Sequence, residues 1–290
     1  MQELNQYLRW CNDRYENLPH CNCGNNCTNN HYCKGQQTDC YACIKRVHDY
    51  HNQVVHYNCE KMLYYYVLKH CYRFGAEVFF EINKIRRDLA SWSDIHYVSI
   101  GCGPCCELFG AILQWRTMGK DDCGFHFRGF DTGRLWGPLM NKACECCNSV
   151  DVSVYTQNVF SYYEDNQEQV DIIVLNYMLS DMKKFHASDY DSFLADLVTL
   201  IRQKRPRYLL INDIYLLVSV EASRKLLKHL TDGGVSFKHI KLQYSYLHPL
   251  IGQFGHQISK QTFSMSDALI VRKYDPFREV NSIQTIIKFQ

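Results

Sequence analysis

The sequence lacks any apolar run of about 18 or more residues, the length that crosses a bilayer as a helix, so we expect no transmembrane helix. Its first residues, MQELNQYLRWCNDRYENL, also lack a basic segment followed by an apolar one, and this argues against a secretory signal. Without export, the 16 cysteines are expected to be reduced thiols, because disulfide scaffolds belong to oxidising compartments. These absences predict a cytoplasmic protein.

Net charge is also small, at +2, but it is unevenly distributed. Residues 96–195 carry a net charge of −6, whereas residues 196–290 carry +7. Basic faces attract polyanions, so the C-terminal third favours a nucleic-acid partner. Ordinary solvated charge is the alternative explanation of the same pattern.

Aliphatic residues are scarce between residues 19 and 56, and such a segment cannot bury a core of its own. Seven of the 16 cysteines fall between Cys21 and Cys59. Structural zinc takes four Cys or His ligands, and the Cys40-x-x-Cys43 pair is a regular half-site. The spacing predicts one or two structural zinc ions, and the candidate ligands are Cys21, Cys23, Cys27, Cys33, Cys40, Cys43, His48, His51 and Cys59. An iron–sulfur cluster and unligated thiols are the alternatives.

Helices are predicted before residue 95. Residues 1–18 form an amphipathic pattern with apolar positions at helical spacing, namely Leu4, Tyr7, Leu8 and Cys11. Residues 57–89 predict two helices that meet near Gly75. The aromatic residues of this stretch could stack on bases, but packing is the favoured role for Tyr64, Tyr65, Tyr66, Tyr72 and Phe74.

From Ile95 onward, strands alternate with helices. The strands are IHYVSI, FHFRGFD, SVDVSVYTQN, VDIIVLNYML, RYLLINDIYL, SFKHIKLQYS and, last, DALIVRKY. Strands that alternate with helices of this length predict a mostly parallel sheet covered on both faces.

A glycine turn, VSIGCGPCCELFG, follows the first of these strands. Ligands of open parallel sheets bind beyond the carboxyl ends of the strands, which is where Gly101 and Gly103 lie. A phosphate loop would need Lys-Ser or Lys-Thr after the turn. A dinucleotide loop would need glycine in place of Cys106. Neither ligand fits the turn well.

The segment VSIGCGPCCEL resembles the first motif of the class I S-adenosylmethionine-dependent methyltransferases. The resemblance covers residues 95 to about 275 and implies a doubly wound, mostly parallel, seven-stranded sheet of Rossmann-like type, with DALIVRKY as its antiparallel strand. It implies that the glycine turn holds the amino-acid part of S-adenosylmethionine, that Asp131 binds the ribose hydroxyls, and that Asn158 or Gln157 contacts the adenine. The cofactor-binding residues implied in this way are Gly101, Cys102, Gly103, Glu107, Asp131, Gln157, Asn158 and Asn176.

The family places substrate-facing groups after the fourth strand, where this chain has NYML. This stretch lacks the prolines of the Asn-Pro-Pro-Tyr signature of amino-group methylases, so the resemblance does not imply amine chemistry. The candidates for a catalytic base are Asn176, Tyr177 and Asp181. Two cofactor residues have alternative roles: Asp131 as the cap of a helix near Leu135, and Asn158 as an ordinary turn residue.

The expected organisation is an N-terminal helix with a zinc-binding segment over residues 1–56, a helical cap over 57–94, a methyltransferase-like domain over 95–275 and a tail over 276–290. The expected function is methyl transfer from S-adenosylmethionine to RNA or another nucleic acid. A weaker similarity to ribosome-associated methyltransferase-like proteins favours this substrate. The rivals are a non-catalytic binding or assembly protein on the same scaffold, a methyltransferase of small molecules or of proteins whose zinc segment holds a protein partner, and a dinucleotide oxidoreductase.

Overall fold

The computed structural model describes residues 2–18, 40, 41, 44, 57, 59–244, 267–277 and 282–290. Within them, one sheet has the strand order β3-β2-β1-β4-β5-β7-β6. Strands β1 to β5 pair in parallel, and β7 is antiparallel to both β5 and β6. The strands are β1 Ile95–Ile100, β2 Phe125–Phe130, β3 Asp151–Tyr155, β4 Ile172–Asn176, β5 Tyr208–Ile214, β6 Phe237–Tyr244 and β7 Ser282–Phe289. The mostly parallel seven-stranded sheet predicted from the sequence is confirmed.

A hydrophobic core lies on each face of the sheet. Successive strand residues point to opposite faces, so one strand can contribute to both cores. In β4, Ile172 and Val174 belong to one hydrophobic core, whereas Ile173 and Leu175 belong to the other. The first core packs against α1 Gln2–Asn17, α2 Glu60–Leu89, α3 Cys106–Thr117, α4 Gly137–Cys146 and α9 Ala268–Tyr274. The second packs against α5 Val159–Asp165, α6 Leu179–Phe185, α7 Tyr190–Lys204 and α8 Leu217–Asp232. Among these described helices, none combines the length and the apolar character needed to cross a membrane.

Helix α1 agrees with the sequence prediction, since all four of its expected apolar positions are buried. Helix α2 does not, because residues 60–89 form one continuous helix of 30 residues rather than two helices that meet at Gly75. The glycine serves close packing instead of a break. A Cβ added to Gly110 of α3 would lie 2.1 Å from the carbonyl oxygen of Gly75. The two helices therefore cross with their backbones in contact.

The end of the chain also differs from the prediction. DALIVRKY was expected to form the antiparallel strand, but Ala268–Tyr274 is helix α9. The Asp267 carboxylate caps this helix by accepting from the N–H of Leu269 at 3.0 Å, and Ile270 and Tyr274 are buried one helical turn apart. The antiparallel strand is β7, which lies within the residues expected to be a tail. An aspartate cap and a spacing of four residues thus outweigh the β-branched composition of this segment.

Candidate functional site

The glycine turn after β1 has the backbone conformation that its residues favour. Gly101 and Gly103 have φ of +66° and +48°, a region that glycine enters without steric cost. A Cβ at Gly101 would also lie only 2.7 Å from Cγ of Met178. The N–H of Cys105 donates to the carbonyl of Cys102 at 2.8 Å, which closes the turn immediately before α3.

A cavity of about 620 Å³ opens beside this turn, at the carboxyl ends of β1, β2 and β4. Its volume lies in the range of small-molecule and cofactor sites, and its position is the one expected for a ligand of an open parallel sheet. The structure brings every cofactor and base candidate from the sequence to its lining: Gly101, Cys102, Gly103, Glu107, Asp131, Gln157, Asn158, Asn176, Tyr177 and Asp181. The roles given to these residues stay predictions.

Asp131 follows the last residue of β2 and is tied to the glycine turn. Its Oδ2 accepts from the N–H of Gly103 at 2.9 Å, and its Oδ1 accepts from the N–H of Gly133 at 2.7 Å. Burial raises the pKa of this half-buried carboxyl. An ionised carboxylate has about four acceptor positions, so both oxygens retain capacity for donors of a ligand. The residue that precedes the next helical turn is Gly133, so Asp131 does not have the expected alternative role of a helix N-cap.

Gln157 and Asn158 lie at the exposed edge of the cavity, after β3. The Asn158 side chain accepts from the N–H of Phe160 at 2.8 Å and caps α5. Asn158 therefore has a local structural role, which was the expected alternative to contact with the adenine. Capping uses only its carbonyl oxygen, and the amide group is a separate donor.

Glu107 lies in the first turn of α3, on the inner side of the cavity, and is 2% exposed. Its Oε1 accepts from the Ser99 hydroxyl at 2.5 Å, and its Oε2 accepts from the amide of Asn176 at 3.3 Å. Burial raises the pKa of Glu107 to about 7, although both hydrogen bonds lower it. Near neutral pH this carboxyl can therefore gain or lose a proton when a charged ligand binds beside it.

A chain of buried hydrogen bonds continues from Asn176 into α2. The Asn212 amide donates to Oδ1 of Asn176 and to Oε2 of Glu77, both at 2.9 Å. The Tyr177 hydroxyl donates to the same Glu77 oxygen at 2.9 Å, and its ring stacks on Phe74 with centroids 3.9 Å apart. Tyr177 also has a positive φ of 55°. The polar groups of Asn176 and Tyr177 are thus engaged inside the protein, which leaves Asp181 as the remaining base candidate.

Asp181 lies in the first turn of α6. Its Oδ2 accepts from the Tyr57 hydroxyl at 3.4 Å. Burial and the nearby Asp213 raise the pKa of Asp181 to about 7, while Lys184 and the Tyr57 hydrogen bond lower it. A carboxyl whose pKa lies close to neutrality is suited to general acid–base catalysis.

Sequence reasoning missed an aromatic wall, formed by Tyr57, Tyr66, Phe74 and Trp136, which lines the cavity beside the glycine turn. Tyr66 and Phe74 pack in the hydrophobic core, as expected, and they also line the cavity. Tyr64 and Tyr65 contact the rings of Trp10 and Tyr274. The spacing of Tyr66 and Phe74, two helical turns apart, is a signal that could have separated them from their neighbours. The remote position of Trp136 in the sequence gives no such signal.

The zinc prediction falls mostly outside the described residues. Cys21, Cys23, Cys27, Cys33, Cys43, His48 and His51 lie there. Of the two candidates that the structure describes, Cys40 is buried, and Cys59 is half-buried and lies just before α2. In the part of the chain that the structure describes, no group of three or more His, Cys, Asp or Glu residues is placed to hold a metal ion. The zinc site remains a prediction.

No family model and no curated protein matches the chain. Solved structures with a similar fold include the precorrin-6Y C5,15-methyltransferase of Geobacter metallireducens, which is 9% identical, with 72% of this chain and 89% of that one covered and a TM-score of 0.41. The plantazolicin methyltransferase BpumL in complex with SAH is 11% identical, with 76% and 84% covered and a TM-score of 0.43. The ribosomal protein L11 methylase of Lactobacillus delbrueckii subsp. bulgaricus is 11% identical, with 72% and 76% covered and a TM-score of 0.39. These neighbours are methyltransferases of varied substrates, and a likeness at this level does not assign an activity to the chain.

Proposed function

We propose that the chain is an S-adenosylmethionine-dependent methyltransferase whose cofactor lies in the cavity beside the glycine turn. The observation that carries the proposal is the connection between Gly103 and Asp131. It joins a glycine turn and a carboxylate at the carboxyl ends of two adjacent parallel strands, within one cavity. A carboxylate with spare acceptor positions suits the two hydroxyls of a ribose. Glycines at positive φ allow a ligand to approach the backbone closely.

The residues of the cavity fit this cofactor in charge as well as in shape. S-adenosylmethionine supplies an activated methyl group on a positively charged sulfur. Glu107 and Asp181 bring carboxyl groups to the same cavity, and their ionised forms would be favoured by a neighbouring positive charge. Asp131 would hold the ribose, Gln157 and Asn158 the adenine, and the glycine turn the amino-acid part. The protein would mainly align the donor with the acceptor and exclude water.

A nucleic acid, most simply RNA, is the proposed acceptor. Support for this part comes from the sequence, through the basic C-terminal third and the cysteine-rich segment. Binding to RNA should weaken steeply as salt is added, because phosphate contacts release counterions. A neutral small-molecule acceptor would show no such dependence.

The test of the proposed function is calorimetry with S-adenosylmethionine and with its demethylated product. Asp131→Ala should weaken binding by about tenfold or more, the loss expected when hydrogen bonds to a charged group are removed. Asp165→Ala, at the exposed end of α5, is the matched control and should bind as the unaltered protein does. Absence of binding to the unaltered protein would overturn the proposal. Binding without methyl transfer to any acceptor would instead support a non-catalytic protein on this scaffold.

A further inference from the structure

Part of the cavity lining is not explained by the residues proposed to bind the cofactor. Tyr66 lies at the centre of the aromatic wall, with ring centroids 5.4 Å from Tyr57, 5.7 Å from Trp136 and 6.0 Å from Phe74. Tyr57 and Trp136 also touch, at 5.4 Å. The three rings packed around Tyr66 form an apolar surface with it, and a flat aromatic group binds well to such a surface.

The cavity lining carries both acidic and basic side chains. Asp181 is half-buried, whereas Asp189, Arg134 and His186 lie at exposed positions. Asp181 touches the aromatic wall through the Tyr57 hydroxyl. An acceptor group that is itself a phosphate or a carboxylate would meet like charge at Asp181, whereas an N–H donor would find an acceptor there.

We propose that the methyl acceptor is an N–H nitrogen of an RNA base, that the base lies on the aromatic wall, and that Asp181 takes the proton of that nitrogen. This inference rests on the proposed methyltransferase function. Flat bases stack on aromatic side chains whatever their sequence. A carboxylate accepts a hydrogen bond from any N–H of a base edge. The flat ring of the base would thus meet the aromatic wall and its N–H would meet Asp181, and these two parts of the site touch through the Tyr57 hydroxyl.

The transfer step balances with the groups already named. The Asp181 carboxylate takes the proton, and the electron pair of the N–H bond stays on the nitrogen. The nitrogen uses this pair to bond to the methyl carbon, whose bond to the positively charged sulfur breaks, and that bonding pair remains on the sulfur. One negative carboxylate and one positive sulfonium are consumed, and a neutral carboxylic acid and a neutral thioether are formed.

The first turn of α6 is anchored so that Asp181 is held in place. Asp213, the penultimate residue of β5, accepts from the N–H of Ser180 at 2.8 Å and from its hydroxyl at 2.5 Å. Asp213 is 1% exposed. Because Ser180 directly precedes Asp181, we assign Asp213 as a positioning residue for the base.

The groups that face Asp181 set the pH at which it works. They are Asp213 from β5, Lys184 from α6, and Tyr57 and Tyr66 from the aromatic wall. Their combined effect with burial is a pKa of about 7. The value of kcat/KM, which reports the free protein, should therefore rise with pH and level off above about pH 7, since only the ionised carboxylate accepts the proton.

The first experiment identifies the atom that is methylated. The full chain is incubated with unmodified transcribed RNA and with S-adenosylmethionine that carries a deuterated methyl group, and the nucleosides are separated and weighed by mass spectrometry. The label is expected on a base nitrogen. Label on a ribose oxygen, on a base carbon or on protein, or no transfer to RNA by a protein that binds S-adenosylmethionine, would overturn the acceptor proposal. The proposed function fails separately, if S-adenosylmethionine does not bind at all.

The second experiment tests the base. Asp181→Asn should lower kcat by about 100-fold or more, the usual contribution of general acid–base catalysis, and this loss should be much larger than any change in the affinity for S-adenosylmethionine. The matched control is Asp196→Asn on the exposed side of α7. Tyr57→Phe provides a second readout if Asp181→Asn does not fold. Removing a hydrogen bond that lowers the pKa of Asp181 should shift the inflection of the rate profile to higher pH. An Asp181→Asn protein of normal rate, or a Tyr57→Phe protein with an unshifted profile, would exclude Asp181 as the base.

Discussion

The backbone N–H of Gly103 donates to Oδ2 of Asp131 at 2.9 Å, so the glycine turn after β1 is fastened to the end of β2. The contact makes one unit of two features that lie 28 residues apart in the sequence. The carboxylate has a structural role, because it orders the turn, and a proposed binding role, because its remaining acceptor positions lie at the cavity. Substitutions of Asp131 should separate these two roles.

Asp131→Asn should reduce both stability and cofactor affinity. The amide nitrogen of asparagine cannot accept from a backbone N–H, so one of the two amides that Asp131 now satisfies, Gly103 or Gly133, loses its partner. A lost hydrogen bond to a charged group costs about 1.5–3 kcal/mol. Urea unfolding measures the stability and calorimetry the affinity. If Asp131→Asn binds S-adenosylmethionine normally and unfolds at the normal urea concentration, then neither role is correct.

Cofactor affinity should rise with pH through the ionisation of Glu107. The pKa of this buried carboxyl is about 7 in the free protein, and a bound cation lowers it. Binding at about pH 6 must therefore expel a proton, whereas binding at about pH 8 need not, and the difference in affinity should approach about tenfold. Calorimetry in two buffers of different ionisation enthalpy measures the proton released. Glu107→Gln should reduce both the release and the pH dependence, and an unchanged pH dependence in that variant would contradict the assignment.

The protein should lose stability as pH rises from mildly acidic to mildly basic values. Glu81 of α2 is 0% exposed and lies beside the backbone of Ile211, and burial raises its pKa well above the ordinary value. Burial also raises the pKa of Glu77. A carboxyl whose pKa is raised by folding contributes fully below its unfolded pKa, and this contribution is lost as pH rises through the folded value. Glu81→Gln should therefore reduce the difference between the urea midpoints at about pH 6 and about pH 8. The same difference in the variant as in the unaltered protein would exclude Glu81 as its source.

The close crossing of α2 and α3 should tolerate no added methyl group. In Gly110→Ala, the new Cβ would lie 2.1 Å from the carbonyl oxygen of Gly75, which is backbone and cannot rotate away. Overpacking of this kind costs about 1–3 kcal/mol. Gly137→Ala is the matched control, since its Cβ would meet only Thr156, with Oγ1 at 3.9 Å. Thermal unfolding compares the two, and equal melting temperatures would show that the helices can separate freely.

The sequence predicted the sheet because its strands and helices follow local patterns, and the resemblance of VSIGCGPCCEL to a known motif implied the glycine-turn and polar residues of the cavity lining. Apolar strands that alternate with helices allow few arrangements, and turn residues such as Gly101 have conformational preferences of their own. The single helix α2 and the position of β7 could not be obtained in the same way. Gly75 resembles a helix breaker until Gly110 is placed against it, and DALIVRKY resembles a strand until it is packed against α1 and α2.

The aromatic wall shows the same limit within the site. Its rings come from residue 57, from α2 and from the segment before α4, and only the fold brings them together. The roles of Asn176 and Tyr177 are another case. Both residues follow the pattern expected for substrate-facing groups, yet long-range partners in α2 and β5 bind their polar atoms. Which polar residue faces a ligand is decided by such partners, and a single sequence does not display them.

Residues 20–59 should bind structural zinc. The thiolate-rich ligand set predicts a closed coordination shell without an open position for water. Metal binding by zinc-finger peptides supplies about 10–16 kcal/mol of apparent free energy, enough to decide the folding of so small a segment. Cys40→Ser and Cys43→Ser should each lose metal, because this pair is the most regular half-site. Cys123→Ser, which removes an exposed free thiol, is the matched control and should retain it.

Removal of the metal should act locally. A chelator should increase hydrogen exchange between residues 20 and 59, because a structural zinc site contributes directly to the folding of its own segment. The second hydrophobic core consists only of residues that follow Ile95, so hydrogen exchange in the strands and helices around it should stay unchanged. Elemental analysis distinguishes the alternatives, since iron together with acid-labile sulfide would indicate an iron–sulfur cluster. Reduced native protein without stoichiometric metal would contradict the zinc prediction. Native protein with these cysteines in disulfides would contradict both the zinc prediction and the expectation of a reducing compartment.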